Sequence, residues 1–400
     1  RNMERMIAQA MVLGIGAVEA LRVLGYDTET YHLNESHAVF APLHLLHLEL
    51  TSGKSIADAI EHVRKKIVFT NHTPITAGNP RYSVSMILDL TGFNEIIWRD
   101  LLKQLGGDTW FDATVACLRL SRTANAVSQK HLQTCKELWP DTLGSAPWHA
   151  VTNGVTTMYW QYPEFAEAQT WERIAQAKVL YKRYLIYYLL GRTDKRFRED
   201  VLTIAWFRRF AEYKRPNLIF RDFEWIANHL TSGHFQLIMG GKPHPDDKGM
   251  IAVWNEIYSL SKKLPNLAIL AGYDPIMSKV MKAGADLWFS SPRVPIEACS
   301  TSGMSAAMNG ANLMSTSDGW ICEVNPDEVF LYGTHIPVMY EQDVFDASEL
   351  RSSLDNVVMP MYYNRKNEWY DKVLRIKRTG ETLYNSDRML SEYWDRMYAF

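Results

Sequence analysis

Four cysteines in 400 residues (Cys117, Cys135, Cys299 and Cys322) are too few for a disulfide scaffold, and no two stand in CxxC spacing. A reducing, cytoplasmic setting is the expectation. A charge excess of either sign is also missing. Lys plus Arg number 43 against 45 Asp plus Glu, a formal net charge of -2. That balance provides no global field to recruit nucleic acid or an acidic membrane, so any anion site must be local. No apolar run reads as long enough to span a bilayer and no secretion signal is visible, which predicts a chain with no membrane partner. Histidine and carboxylate spacings give no metal set, and neither a GxxxxGK[ST] loop nor a GxSxG elbow occurs. Internal repeats and low-complexity stretches are lacking too.

What is present is 47% hydrophobic residues, ample for large cores, at a length that suggests two or three domains. The chain starts at Arg1 directly in a helical pattern, so a preceding N-terminal portion is expected. Short apolar runs ending in small or polar residues read as strands: 66–72, 149–154, 202–207, 235–241, 267–273 and 285–291. Their near-continuous hydrophobicity suits strands buried on both faces of a parallel sheet. Helical periodicity over 8–23, 56–65, 167–190, 248–263 and 276–283 completes an α/β alternation. A boundary near 155 predicts two Rossmann-like, doubly wound domains facing a cleft: 1–155 on the acceptor side and 156–400 on the donor side. Gly14-Ile15-Gly16 is only a fragment of a dinucleotide fingerprint, with no strand ahead of it.

Two stretches carry the chemistry. In "IEACSTSGMSAAMNG" (296–310), Glu297 leads through small residues into a helix, and Thr301, Ser302 and Gly303 can turn backbone N–H groups toward an anion. In "WFRRFAEYKRP" (206–216), a buried strand empties into Arg208 and Arg209, with Lys214 and Arg215 soon after. A solvated basic loop is the plain reading of the second stretch. Two anion-friendly elements in one domain, both beyond strand ends, favour a phosphate or diphosphate. Asn34, Glu35 and His37, Asn71 and His72, and Asn153 stand at other strand ends, where a lone histidine is more often structural than catalytic.

In their order, "LGIGAVEALRVLGYDTETYHLNESHAVF", "VFTNHTPITAGN", "VTNGV", "RRFAEYKRP", "GGKPHPDD", "GADLWFSSPRVPIEA", "TSGM" and "MNGANLMSTSDGW" resemble the α-glucan (glycogen, starch, maltodextrin) phosphorylases, especially the short bacterial and archaeal type. The resemblance covers 13–400 and implies a GT-B fold whose final helix, about 386–400, packs back on the first domain. It also implies a departure. In the family the residue after "TSGM" is the lysine that holds pyridoxal phosphate as an imine, and here it is Ser305. A hydroxyl forms no imine, so no covalent cofactor is expected. The eight-residue span from Glu297 to Ser305 is also the spacing of paired acids in sugar-nucleotide transferases of this fold, where the second acid binds the nucleotide ribose.

The resemblance then implies these roles. Arg208, Arg209, Lys214 and Thr301 to Gly303 bind phosphate. Asn71, Asn153, Glu297 and Ser300 meet the donor sugar, His72 lies beside it, and Ser305 faces a nucleoside. Asn34, Glu35 and His37 lie toward the acceptor. His72, Arg209, Lys214 and Glu297 form the expected catalytic set, with no metal. The function expected is retaining hexosyl transfer from a nucleoside diphosphate sugar such as UDP-glucose to a carbohydrate or small-molecule acceptor. Two alternatives stand beside it: a phosphorylase with pyridoxal phosphate held non-covalently or its anchor engineered out, and a non-catalytic glucan- or phosphate-binding protein. The assembly is left open, with a homodimer among the options.

Overall fold

The structure is a computed structural model that describes residues 2–75, 78–140 and 145–399. Thr76 and Ala77, within the "VFTNHTPITAGN" stretch, and Phe400, at the end of the expected last helix, lie outside the described residues. The chain forms two units. The first takes Arg1–Thr152 and Leu390–Phe400, and the second takes Asn153–Met389.

In the first unit the strands are β1 (Tyr31–Asn34), β2 (Ile67–Asn71), β3 (Arg81–Ser83), β4 (Trp110–Asp112), β5 (Thr123–Ala126) and β6 (Trp148–Ala150). Among the described residues, β1-β2-β5-β6 make a four-stranded sheet in that order, every pair parallel. All five residues of β2 are buried, which is why it read as a continuous apolar run. The core joins Phe40, Ile67, Phe69, Trp98, Leu102 and Phe111. β3 and β4 form a separate antiparallel pair that the periodicity did not reveal.

The first helix, Met3–Val23, corrects the expectation that no apolar run is long enough for a bilayer. Within its 21 residues an 18-residue stretch reaches a mean hydropathy of 1.5, and the helix passes that test by length and composition alone. Ile7, Ala10, Gly14 and Val18 nevertheless form one buried stripe at helical spacing. This stripe lies against the helix Phe40–Thr51, and Gly14 allows the close approach. A Cβ there would lie 2.4 Å from the Ala41 nitrogen and 2.6 Å from the Phe40 carbonyl carbon. Gly14 is therefore a helix-packing glycine and not part of a nucleotide loop.

In the second unit the strands are β7 (Thr203–Phe207), β8 (Gln236–Gly241), β9 (Leu267–Ala271), β10 (Leu287–Phe289), β11 (Asn312–Ser315) and β12 (Phe330–Leu331). They form a parallel sheet in the order β12-β11-β10-β7-β8-β9. Strand order reverses between β7 and β10, which is the doubly wound pattern, and ligands in such sheets gather beyond the carboxyl ends at that reversal. Long helices cover the faces, among them Trp171–Leu190, Lys248–Lys263 and Pro275–Gly284, close to the expected spans. The core includes Trp206, Phe235, Leu237, Met239, Phe289 and Trp369.

Candidate functional site

β7 and β10 end on either side of the reversal, and the basic stretch and the small-residue turn follow them. β7 is buried along its whole length, so the chain must leave it with its first charged residue at the sheet edge. That residue is Arg208, whose N–H donates to the Gly240 carbonyl at 3.0 Å. Gly241 passes so close that a Cβ would lie 1.9 Å from the Arg208 oxygen, and its φ of +126° also calls for glycine. Lys214 ends a 3₁₀ turn, Glu212–Lys214, and Arg215 takes φ 44° just after it. Ser291 beyond β10 pins this turn by donating its hydroxyl to the Lys214 carbonyl at 2.8 Å.

Glu297 is the hub. Its Oε2 accepts from Arg208 Nη2 at 2.8 Å and from Lys214 Nζ at 2.9 Å, and its Oε1 lies 3.1 Å from the same ammonium. Its own N–H donates to Asp318 Oδ2 at 2.8 Å. Burial pushes the Glu297 carboxyl up, but Lys214 and Arg208 together outweigh it and bring it down to about 2. Burial lowers Lys214 to about 8, helped by the Arg208 charge and opposed by Glu297. At neutral pH Lys214 is therefore still largely a cation and, with Arg208, faces an ionised Glu297. Tyr213 places its ring 4.8 Å from the Lys214 ammonium. Burial, with Glu297 next, pushes its hydroxyl up to about 12.

Ser300 closes this cluster, accepting from Arg208 Nη2 at 2.5 Å. It takes a left-handed conformation (φ 75°, ψ 64°) that turns the chain sharply into the helix Thr301–Met308. The amides of Thr301, Ser302 and Gly303 open that helix, where backbone donors lack intrahelical acceptors. Arg208, whose Nη2 reaches Ser300 just ahead of this helix, keeps its Nη1 buried with no hydrogen-bond partner. An orphaned guanidinium nitrogen next to a helix start is the arrangement an oxyanion would complete.

Other expected residues separate. Arg209 is exposed, out of the Glu297 hub but close enough to Tyr213 and Lys214 to perturb both. Ser305, expected to face a nucleoside, is 1% exposed. Its hydroxyl turns back to the carbonyls of Ser302 (3.2 Å) and Thr301 (3.4 Å), so this structure presents it to its own helix. Glu297, expected at the donor sugar, is already engaged by two cations, and the lone pairs left over are what a sugar hydroxyl could use. Asn153 is half-buried, and its carbonyl accepts from Arg388 Nη2 at 3.3 Å.

In the first unit Asn34, Glu35 and His72 come together past the ends of β1 and β2. His72 Nε2 lies 2.6 Å from Asn34 Oδ1, and Glu35 Oε1 takes both the His72 N–H and, at 3.1 Å, the Thr73 hydroxyl. Burial lowers the His72 imidazole and Glu35 raises it, with a net fall that keeps the ring neutral near pH 7. Glu35 sits at φ 75°, a strained place for a non-glycine residue. Asn71 points elsewhere, donating to Asn79 Oδ1 at 3.3 Å and accepting from the Thr73 N–H at 3.0 Å. His37 is exposed on a 3₁₀ turn.

Sequence reasoning missed Tyr213, Asp318 and Trp320. The "STSDGW" run held the signal for the last two, since Asp318 caps the turn by accepting the Gly319 N–H at 2.9 Å. Trp320 is fully buried, and a Cβ on Gly303 would lie 3.3 Å from its Cζ2. Between Trp288, Glu297, Ser300, Gly303 and Trp320 there remains a cavity of about 10 Å³, room for a single water. Among the described residues no group of three metal-ligating side chains converges.

Comparison with known proteins accords with this arrangement. An uncharacterized protein of Methanocaldococcus jannaschii is 33% identical over 399 residues, which are 98% of this chain and 73% of that protein. Maltodextrin phosphorylase of Thermococcus litoralis is 29% identical over 451 residues, covering all of this chain and 54% of the enzyme. Glycogen phosphorylase of Aquifex aeolicus is 29% identical over 455 residues, covering 98% and 66% respectively. The chain thus spans between half and two thirds of the length of these two enzymes. No protein-family model matches it. Its relatives align along its whole length, and its doubly wound sheet carries the cationic strand end and the small-residue turn, so the chain is similar throughout to the glycogen and maltodextrin phosphorylases.

Proposed function

We propose that this protein is a cytoplasmic, retaining hexosyltransferase that works without covalent pyridoxal phosphate and takes a nucleoside diphosphate sugar such as UDP-glucose as donor. The observation that carries the reading is the buried Arg208–Lys214–Glu297 cluster at the start of helix Thr301–Met308, with Arg208 Nη1 left unpartnered. A covalent cofactor does not suit the residues present. Ser305 forms no imine, and its hydroxyl is spent on its own helix. No step of the mechanism therefore runs through that group.

The bond that breaks joins the anomeric carbon to the donor phosphate, and negative charge grows on the departing oxygens. Arg208 Nη1, Lys214 and the amides of Thr301 to Gly303 would meet that charge in a water-poor setting, where fixed donors act most strongly. Arg209, at the exposed rim, would add a second guanidinium. Glu297 keeps both buried cations in place and offers its remaining lone pairs to the sugar. The departing phosphate would take the acceptor proton on the same face, giving retention without a carboxylate nucleophile, unlike the paired-acid hydrolases. Asn153, in the same unit as the cluster, would orient the sugar.

Incubating the purified protein with glucose 1-phosphate and, separately, with a panel of nucleoside diphosphate sugars tests this directly. The expected result is consumption of a sugar nucleotide with no added cofactor. Turnover of glucose 1-phosphate that depends on added pyridoxal phosphate would replace the proposal with the phosphorylase reading. A folded protein inert to every donor would replace it with a binding role.

A further inference from the structure

Away from the cationic cluster, two histidine rings face each other through their Nδ1 atoms. Helix Phe223–Ser232 ends at Gly233 in a left-handed cap (φ 71°), and the His234 N–H returns to the His229 carbonyl at 3.1 Å. This cap closure brings the residue two past the helix end against the residue one turn back. His229 Nδ1 and His234 Nδ1 lie 3.0 Å apart, the rings at 64°. The His229 ring is held between Trp225 (4.8 Å) and Phe235 (5.5 Å, stacked). On its other edge Nε2 lies 3.3 Å from Asp355 Oδ1, and that carboxylate also accepts from Trp225 Nε1 at 3.0 Å. Asp355 itself stands in a π-helical turn, Leu354–Val358.

Asp355 favours the proton on Nε2 of His229, which leaves the Nδ1 lone pair directed at His234. One proton shared between two such nitrogens is what a divalent transition metal replaces. A carboxylate behind a histidine is the usual outer support of a histidine–metal bond. The spacing agrees. Metal–nitrogen bonds of about 2.05 Å put two ligand nitrogens about 2.9 Å apart at a right angle and about 3.3 Å apart at the tetrahedral angle. The observed 3.0 Å lies between these values, and His234 is exposed, leaving room for water to complete the shell.

We propose that His229 and His234 bind one divalent transition-metal ion through their Nδ1 atoms, with water completing the shell and Asp355 positioning His229. This proposal is independent of the donor chemistry above. The pair precedes β8, whose other end at Gly241 approaches Arg208, so the ion would sit on the order of 15–20 Å from the cationic cluster along the strand. Its role is to clamp the helix cap to the sheet, not to take part in transfer.

Chelator-stripped protein would be titrated calorimetrically with ZnCl2, NiCl2 and CuSO4 in turn, with MgCl2 as the hard-cation control. Copper should bind most tightly, magnesium should not bind, and the thermal midpoint should rise with metal while donor turnover stays unchanged. His234→Ala, an exposed change, and His229→Phe, which keeps the ring packing, should each abolish the single tight event. Asp355→Asn should weaken it about 10-fold. No saturable one-to-one binding in the parent, or the same isotherm in His234→Ala, would overturn the proposal.

Discussion

At Lys214 the burial that aims the ammonium at Glu297 also sets the pH at which it stops being a cation. Its value of about 8 means that kcat/KM for the donor should fall as pH rises through about 8, because the free enzyme then loses one of the charges facing phosphate. Lys214→Arg should erase that limb, since a guanidinium does not titrate there. A pH–rate profile unchanged by the substitution would separate Lys214 from the chemistry. Stability follows the opposite sign. Between about 8 and the ordinary 10.5 the unfolded chain keeps a proton that the native lysine has lost, so this group makes stability rise with pH across that window. Glu297 acts at the other end. Its value falls from 4.5 to about 2, so its contribution is complete above 4.5 and is lost as pH drops through about 2. Arg209 gives a test unconfounded by folding. Being exposed, Arg209→Ala should change stability by no more than about 0.5 kcal/mol, yet lower turnover about 10²-fold if it meets growing phosphate charge. Parent-like turnover would make it a solvated rim residue.

Helix Thr301–Met308 joins the anion cradle to Ser305, where the resemblance implies an imine-forming lysine. Ser305→Lys should destabilise the protein by about 1–3 kcal/mol by overfilling a site only 1% exposed, and should abolish sugar-nucleotide turnover. No borohydride-trappable imine should form. A new near-ultraviolet band together with glucose 1-phosphate turnover would show that the serine merely marks a lost anchor. Gly14→Ala should likewise cost about 1–3 kcal/mol in chemical denaturation, since its Cβ would meet the backbone of the neighbouring helix. Elements like these differ in how far the sequence betrays them. β2, β7, β8 and β10 were legible because burial on both faces leaves an unbroken apolar run. β1 (YHLN), β5 (TANA) and β12 (FL) were not, the first two being short and partly polar and the last only two residues long, with pairing partners that supply the order. The cradle was legible as a local pattern of small residues before a helix. Its counter-ion arrangement was not, because Glu297 meets cations 83 and 89 residues away and only the parallel sheet brings them together. Ser305 illustrates the same limit: its position could be read, but the direction of its hydroxyl could not.

On the scale of the whole molecule, a net charge of -2 hides a locally cationic site, so salt should weaken donor binding while leaving overall stability nearly flat. The chain leaves the first unit at Thr152 and re-enters it at Leu390. Met397 is fully buried on return, Tyr398 Oη lies 2.6 Å from His32 Nδ1, Arg122 Nη2 donates to the Met397 carbonyl at 3.1 Å and Arg396 Nη1 to that of Ala150 at 3.0 Å. Met397→Ala should therefore lower the first unit's unfolding transition by about 2–5 kcal/mol, read by denaturant melts of tryptophan fluorescence. This re-entry also sets an order of events on the ribosome. Domains tend to fold as their residues emerge, yet here the first unit cannot close over His32 and Arg122 until residues 390–399 have cleared the exit tunnel. The second unit, whose residues have all emerged by then, is free to fold first, so of these two units the one begun first is the one finished last.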